Sequence, residues 1–133
     1  MKVFFDVTSL LPKNLSFEGL YTKNLFRVLR GIGLDVEAVY KAPRGYKENY
    51  IENHISTTAK KFVSFFASRG AILHGPSGNL LSESDKFTKV LSINDMSMFR
   101  DGYMSPNLAT QLQNHMKQQL QTDVKAVIVP SYD

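Results

Sequence analysis

Polar side chains that could bind or transform a ligand are concentrated in four loops, each placed directly after a stretch that reads as a strand. They combine carboxylate, imidazole, amide and hydroxyl groups, which can hydrogen-bond a hydroxyl-rich ligand and can accept or orient a proton. Because open α/β folds bind ligands at the carboxyl edge of their sheet, we expect the loops to meet there. The four loops are 8–18, 75–84, 94–106 and the residues after 130.

The first loop leads to Glu18 and Gly19 at the start of a predicted helix. A glycine there lets backbone N–H groups approach a phosphate or a sugar, and the helix dipole favours an anion, although the Glu18 carboxylate disfavours one. The alternative is that Gly19 only punctuates the loop. The sequence contains neither GxGxxG nor GxxxxGK[ST], so no standard dinucleotide or nucleoside-triphosphate site is predicted.

The second loop joins small residues to three hydrogen-bonding side chains, His74, Ser77 and Asn79. Small residues keep the backbone accessible, so a loop of this kind could clasp a sugar. The alternative for His74 is a structural hydrogen bond at a strand end, with no contact to a ligand.

The third loop opens with Asn94 and Asp95, which we take as the candidate catalytic residues. Asp95 could accept hydrogen bonds from sugar hydroxyls or orient a catalytic group, and an Asx-type turn is the alternative. Tyr103, like Phe99, could offer a flat surface to a sugar ring or simply pin the loop to the core.

Composition bounds the class of protein. A chain of 133 residues, 43% hydrophobic and 21% charged, is long enough for one globular domain with a core. It has no cysteine, which excludes disulfides, thiolate chemistry and cysteine-based zinc sites, and its three histidines are too widely spaced to predict a metal. The net charge of +4 suits an anionic ligand or an anionic membrane surface, whereas the scattered basic residues predict no nucleic-acid partner.

The elements that must position these loops follow from hydrophobic periodicity. Strands alternate with helices, which predicts a doubly wound, mostly parallel α/β sheet of about five strands with helices on both faces, a Rossmann-like three-layer sandwich. The predicted strands are 3–7, 36–40, 71–74, 87–93 and 124–129, and the predicted helices are 19–30, 107–121 and one from Ser56 or Thr57 to about Ser68. Helical spacing places one set of side chains on the inward side of the first helix, namely Tyr21, Leu25, Val28, Leu29 and Ile32, and one apolar row on the helix 107–121, namely Leu108, Leu112, Met116 and Leu120.

Four motifs follow one another along the chain in a recognisable order. They are Glu18-Gly19-Leu20-Tyr21 with Asn24-Leu25, His74-Gly75-Pro76 with Asn79-Leu80-Leu81, Ile93-Asn94-Asp95 with Phe99 and Tyr103-Met104-Ser105-Pro106, and Ile128-Val129-Pro130-Ser131-Tyr132. In order and spacing they resemble the N-terminal, acceptor-side domain of the large retaining glycosyltransferase family 4, also called glycosyl transferases group 1. Members of that family have two Rossmann-like domains facing a cleft.

The resemblance implies an acceptor-binding domain that is inactive as an isolated fragment. It needs no cofactor of its own, because the nucleotide-sugar donor is expected to bind mainly to a C-terminal domain. Two departures from the family matter: Asn94 replaces a histidine, and the first loop keeps only one of its glycines, Gly19. An asparagine can hold a sugar hydroxyl but cannot gain a charge near neutral pH. The implied substrate-binding residues are Glu18, Gly19, Tyr21, His74, Ser77, Asn79, Tyr103 and Ser131.

The resemblance also sets expectations about the whole protein. We expect residues 1–133 to form one domain, the N-terminal part of a longer two-domain hexosyltransferase of polysaccharide or glycoconjugate synthesis. Its partners would be a sugar or glycoconjugate acceptor, the C-terminal domain and, through surface exposed near the last strand, a second copy of the fragment. Since the first residues are too short an apolar run for a signal peptide or a membrane span, we expect a cytoplasmic protein with peripheral contact to the inner face of the membrane. The alternative is a non-catalytic Rossmann-like binding or interaction module.

Overall fold

The computed structural model describes residues 2–94, 99 and 102–129, and the statements below concern these residues. They form one sheet in which every neighbouring pair of strands is parallel, in the order β3-β2-β1-β4-β5-β6. The strands are β1 (Lys2–Asp6), β2 (Asp35–Tyr40), β3 (Ala59–Lys61), β4 (Ile72–Gly75), β5 (Thr88–Ser92) and β6 (Val124–Ile128). The helices are α1 (Phe17–Gly31), α2 (Ile51–Ile55) and α3 (Pro106–Leu120), with 3₁₀ turns at Thr8–Leu10 and Ser64–Phe66.

Helices α1 and α3 cover opposite faces of the sheet. Phe5 of β1 packs in one cluster with Phe26 of α1, and the strand register places Phe5 beside His74 on the same face. Leu91 of β5 pairs with the residue after His74, so it points to the other face, where it packs with Met116 of α3. The predicted doubly wound, Rossmann-like α/β fold is therefore confirmed, with six strands rather than five.

Helix α1 begins two residues earlier than predicted because Ser16 caps it. The Ser16 hydroxyl accepts a hydrogen bond from the Gly19 N–H at 3.2 Å, which satisfies one of the free donors at the helix start. Thr22 and Phe26 are the side chains that α1 buries, whereas Val28, predicted to face inward, is 58% exposed. The inward face of the helix is thus rotated from the one that apolar spacing alone predicts.

The predicted helix from Ser56 or Thr57 to about Ser68 is wrong. Its first half is strand β3, whose Ala59 pairs with Ala38 of β2, and the Phe62 N–H donates to the Tyr40 carbonyl at 2.9 Å. A left-handed Ser56, at φ 56°, ends α2 and turns the chain toward the sheet edge. Backbone pairing with β2 outweighs a helical pattern of only a few apolar residues.

Strand β6 forms one edge of the sheet, and its side chains are largely uncovered. Val127 and Ile128 are 44% and 40% exposed, and in α3 only Met116 of the predicted apolar row is buried. The expected self-association depends on this exposed apolar surface of β6 and α3. The oligomeric state itself stays a prediction. The other members of that row are Leu108, Leu112 and Leu120.

Candidate functional site

A cavity of about 240 Å³ lies at the carboxyl edge of the sheet, between the start of α1, the loop after β4, the end of β5 and the side of α3. We call it the edge pocket. It brings together side chains from loops that are far apart in sequence, as the parallel topology requires. Its lining residues are Glu18, Ser77, Gly78, Asn79, Ile93, Asn94, Leu112, His115 and Met116.

The loop after β4 folds back tightly on itself, and a glycine makes this possible. A Cβ atom placed on Gly75 would lie 1.9 Å from the Asn79 carbonyl oxygen, a distance that no side chain tolerates. Gly78 supplies the positive φ of 79° that completes the turn. The sequence His74-Gly75-Pro76-Ser77-Gly78-Asn79 therefore builds one wall of the edge pocket by steric necessity.

Two side chains of α3 hold this loop from the other side. The Gln119 amide oxygen accepts the Leu80 N–H at 2.9 Å, and Gln119 is buried. The His115 Nε2 lies 2.5 Å from the Asn79 Oδ1, so Nε2 is the donor of that bond. Asn79 thus has its oxygen fixed by α3, which orients its amide group along the pocket wall.

Asn94 stands at the exit of β5 and closes the gap to the same loop. Its Nδ2 donates to the Pro76 carbonyl at 2.8 Å, so this amide spans the two loops that the sequence predicted to be adjacent. Its predicted neighbour Asp95 lies outside the described residues.

The start of α1 contributes the third wall. Glu18 lies in its first turn and lines the pocket, and the Thr22 hydroxyl lies 3.3 Å from that of Ser77. Gly19 serves packing: its N–H is taken by Ser16, and a Cβ there would come within 3.2 Å of Leu15 and of the Ser9 carbonyl. Its backbone N–H is therefore already engaged in the helix cap.

His74 lies beneath the pocket and is part of the core. It is 6% exposed, its Nε2 is 2.9 Å from the Ser92 hydroxyl, and its ring packs edge-on against Phe5 with centroids 5.1 Å apart. Burial lowers the pKa of His74 to about 4, so the ring is neutral at pH 7. The Tyr21 hydroxyl donates to the same Ser92 oxygen at 3.4 Å, which ties α1 to β4 and β5.

Asp6, at the end of β1, is a buried carboxylate that stabilises the turn after its own strand. It accepts hydrogen bonds from both the N–H and the hydroxyl of Thr8, at 2.8 and 2.5 Å. Burial raises the pKa of Asp6, and the bonds from Thr8 oppose that rise. This carboxylate shapes the turn after β1 rather than lining the edge pocket.

The residues predicted from sequence divide into three groups. Glu18, Ser77, Asn79 and Asn94 line the edge pocket together. Gly19, Tyr21 and His74 lie beside or beneath it and support its walls, while Tyr103 is 62% exposed and is not among the lining residues. The remaining predicted residues, Asp95 and Ser131, lie outside the described residues.

Sequence reasoning missed the contribution of α3. His115 and Met116 lie three and four residues after Leu112, so these side chains share one side of the helix. The sequence predicts the apolar row of this helix but no role for the histidine beside it. A signal in the sequence could have indicated the role of His115. The helix after a parallel strand begins at the carboxyl edge of the sheet, so a polar residue beside its buried row can reach a ligand bound there.

The edge pocket can do two kinds of chemistry. Its amide, hydroxyl and carboxylate groups can exchange hydrogen bonds with hydroxyls, and Ile93, Leu112 and Met116 give an apolar wall for a ring face. At about 240 Å³ it is smaller than the roughly 300–1,000 Å³ of sites for drug-sized ligands, which suits one ring-sized group. The titratable groups among its lining residues are the carboxylate of Glu18 and the imidazole of His115.

The described residues also bear on a metal site and on a membrane span. No three His, Asp or Glu side chains within them are grouped so as to hold a metal ion. Nor do the described ranges include a helix both long and apolar enough to cross a bilayer.

Comparison with known proteins leaves the family resemblance as a prediction. No family model, no curated protein and no solved structure matches the chain. The resemblance therefore depends on the order of the sequence motifs alone.

Proposed function

We propose that this chain is the acceptor-binding domain of a nucleotide-sugar-dependent glycosyltransferase of polysaccharide or glycoconjugate synthesis, inactive by itself. One observation carries the proposal: Glu18 at the start of α1, Ser77 and Asn79 after β4 and Asn94 after β5 line a single ring-sized pocket at the carboxyl edge of the sheet. These are the loops to which the resemblance assigns the acceptor.

In this proposal the pocket works by positioning. The Glu18 carboxylate accepts a hydrogen bond from one acceptor hydroxyl, and the Asn79 amide, held by His115, donates to another. Fixing the acceptor in this way would let its free hydroxyl meet a donor sugar brought by a second domain, and positioning of two reactants can supply a large part of a rate enhancement. His74 takes no proton in this scheme, because its pKa of about 4 leaves it neutral.

A second candidate function is a non-catalytic binding or interaction module. The observation that favours it is the Asn94 amide, whose Nδ2 is engaged by the Pro76 carbonyl at 2.8 Å. This residue replaces the histidine expected from the resemblance, and its bond here is one that stabilises a loop. A pocket that binds sugar without transferring it would need Asn94 only for this structural hydrogen bond.

The first experiment tests sugar binding by the chain. We expect methyl glycosides of mannose, glucose and rhamnose, titrated into the labelled protein, to shift the amide resonances of Ser77, Asn79 and Asn94, with dissociation constants on the order of millimolar. Asn79→Ala should weaken binding about tenfold, because it removes the oriented amide, whereas Asn53→Ala, at an exposed position of α2, should leave it unchanged. If all three sugars leave the resonances of the edge pocket unmoved, the acceptor role is wrong.

The second experiment separates the transferase from the module. The full-length gene product is incubated with a panel of nucleotide-sugars and a sugar acceptor, and transfer is followed by mass spectrometry. We expect transfer from one donor, reduced at least about tenfold by Asp95→Ala or Asn94→Ala. Sugar binding with no transfer from any donor would instead support the module.

A further inference from the structure

A second and larger cavity, of about 540 Å³, lies on the face of the sheet opposite α1. It is bounded by β1, β2, β3 and the segment that leads from β3 to β4. We call it the lysine groove. The residues that define it here are Lys2, Phe4, Glu37, Lys60, Lys61 and Phe62.

The groove exists because of how β3 is made. In a doubly wound sheet the connection from one strand to the next normally places a helix over this face. Here residues 59–61 pair with β2, and the connection to β4 contains only the 3₁₀ turn Ser64–Phe66. The face of β1 to β3 is left with a trough rather than a packed helix.

The floor of the groove is aromatic and fixed. The rings of Phe4 and Phe62 meet edge-on with centroids 6.3 Å apart, and each also contacts Phe87, at 6.3 and 5.8 Å. Ala67 and Ala71 line the same cavity and leave room above the rings. An apolar group of one or two rings could therefore stack against a preformed surface.

The rim of the groove is positively charged. Glu37 is bracketed by Lys2 and Lys60, whose Nζ atoms lie 3.4 and 3.3 Å from its carboxylate oxygens. Lys61 also lines the cavity and forms no salt bridge within the described part of the chain. Three lysines against one glutamate leave an excess of two positive charges around an apolar floor.

We propose that the lysine groove binds an organic anion that carries an apolar, ring-sized body. The body lies on Phe4 and Phe62, and the acidic group meets Lys60 and Lys61 at the rim. The volume falls inside the range of roughly 300–1,000 Å³ typical of small-molecule sites, and such sites combine apolar walls with a few charged groups. The groove is built from residues other than those of the edge pocket, so this inference is independent of the proposed function.

The experiment uses three probes that separate the ring from the charge. Naphthalene-2-sulfonate, the neutral naphthalene-2-methanol and inorganic sulfate are each titrated into the ¹⁵N-labelled chain. We expect the sulfonate to give saturable shifts at Phe4, Glu37 and Phe62, the neutral ring to bind about threefold to tenfold more weakly, and sulfate to give no saturable shift.

Two variants test the charged rim, and a third serves as the matched control. Lys60→Gln and Lys61→Gln should each weaken sulfonate binding about threefold or more, since each removes one positive charge. Lys61→Gln is the cleaner of the two because no described salt bridge is lost with it. Lys47→Gln makes the same charge change at an exposed position outside the groove and should leave binding unchanged.

Three outcomes would overturn the proposal. The first is a sulfonate that saturates elsewhere, for example at the edge pocket. The second is that the neutral ring binds as tightly as the sulfonate and that Lys61→Gln leaves sulfonate binding unchanged. The third is sulfate alone reproducing the shifts of the sulfonate, which would make the rim a general cationic surface.

Discussion

The edge pocket and the lysine groove are built on different physical principles. The edge pocket is held by directed hydrogen bonds between side chains and loop backbone, such as Asn94 to Pro76 and Leu80 to Gln119. The lysine groove is held by ring packing and by two salt bridges to Glu37 that are open to solvent. A site of the first kind is suited to neutral, hydrogen-bonding ligands, whereas a site of the second kind selects by charge and apolar area.

The largest expected effect comes from a substitution that should disrupt the edge pocket and leave the lysine groove intact. Gly75→Ala forces a Cβ to 1.9 Å from the Asn79 carbonyl oxygen, so the loop after β4 must move. We expect a loss of about 3 kcal/mol in the free energy of unfolding, measured with urea, and loss of sugar binding. Naphthalene-2-sulfonate should still bind if the two cavities are independent.

The matched control for that change is Gly31→Ala, at the end of α1. A Cβ there meets nothing within 4 Å, so the substitution should be neutral or stabilising by up to about 1 kcal/mol. Equal destabilisation by both substitutions would show that the loop after β4 is not the rigid wall described here.

The second prediction concerns pH and the histidine beneath the edge pocket. The folded pKa of His74, about 4, lies below the value near 6.5 of an unfolded chain, so the unfolded chain takes up the proton first. The contribution of the neutral, buried ring to the unfolding free energy is fully present above about pH 6.5. It is lost as the pH falls toward 4, and the loss is about 3 kcal/mol at most.

Comparison with His74→Gln isolates this contribution from that of Asp6, whose raised pKa acts in the opposite direction. The variant should show a flatter dependence of unfolding free energy on pH between 6.5 and 4. A parent slope that survives in His74→Gln would contradict the assignment.

The third prediction tests whether α3 preorganises the edge pocket. Gln119→Leu keeps the bulk but leaves the Leu80 N–H without its acceptor at 2.9 Å. We expect the unfolding free energy to fall by about 2 kcal/mol and sugar binding to weaken, because a partly buried donor left without an acceptor is costly. Gln118→Leu, at the exposed neighbouring position, is the control and should change stability by less than about 0.5 kcal/mol.

The same contrast explains what could be predicted from the sequence. Five of the six strands and α3 could be predicted because their apolar patterns are local. Glu18, Ser77, Asn79 and Asn94 could be expected to lie at one edge of the sheet because they follow or face strand ends, and they line one cavity there. His115 was missed since it lies in the middle of a helix.

The lysine groove could not be predicted from local pattern. Lys2, Glu37 and Lys60 come from three different strands, and their proximity is set by the register of β1, β2 and β3. The predicted helix from Ser56 or Thr57 to about Ser68 is wrong because residues 59–61 pair with β2, a contact distant in sequence. A site made by strand register becomes visible only once the strand order is known.

The smallest expected effect is a gain in ligand binding when a contact is removed. It separates the two cavities most clearly, because losing a contact ordinarily weakens binding. Glu37→Gln removes both salt bridges to Lys2 and Lys60, yet such partly exposed pairs contribute less than about 1 kcal/mol, so the unfolding free energy should hardly change. The two lysines are then released toward the groove, and naphthalene-2-sulfonate should bind about threefold more tightly at low salt. Raising the ionic strength should remove this gain while leaving sugar binding at the edge pocket unaffected. A Glu37→Gln protein that binds the sulfonate no better than the parent at low salt would show that the rim lysines do not select the ligand by charge.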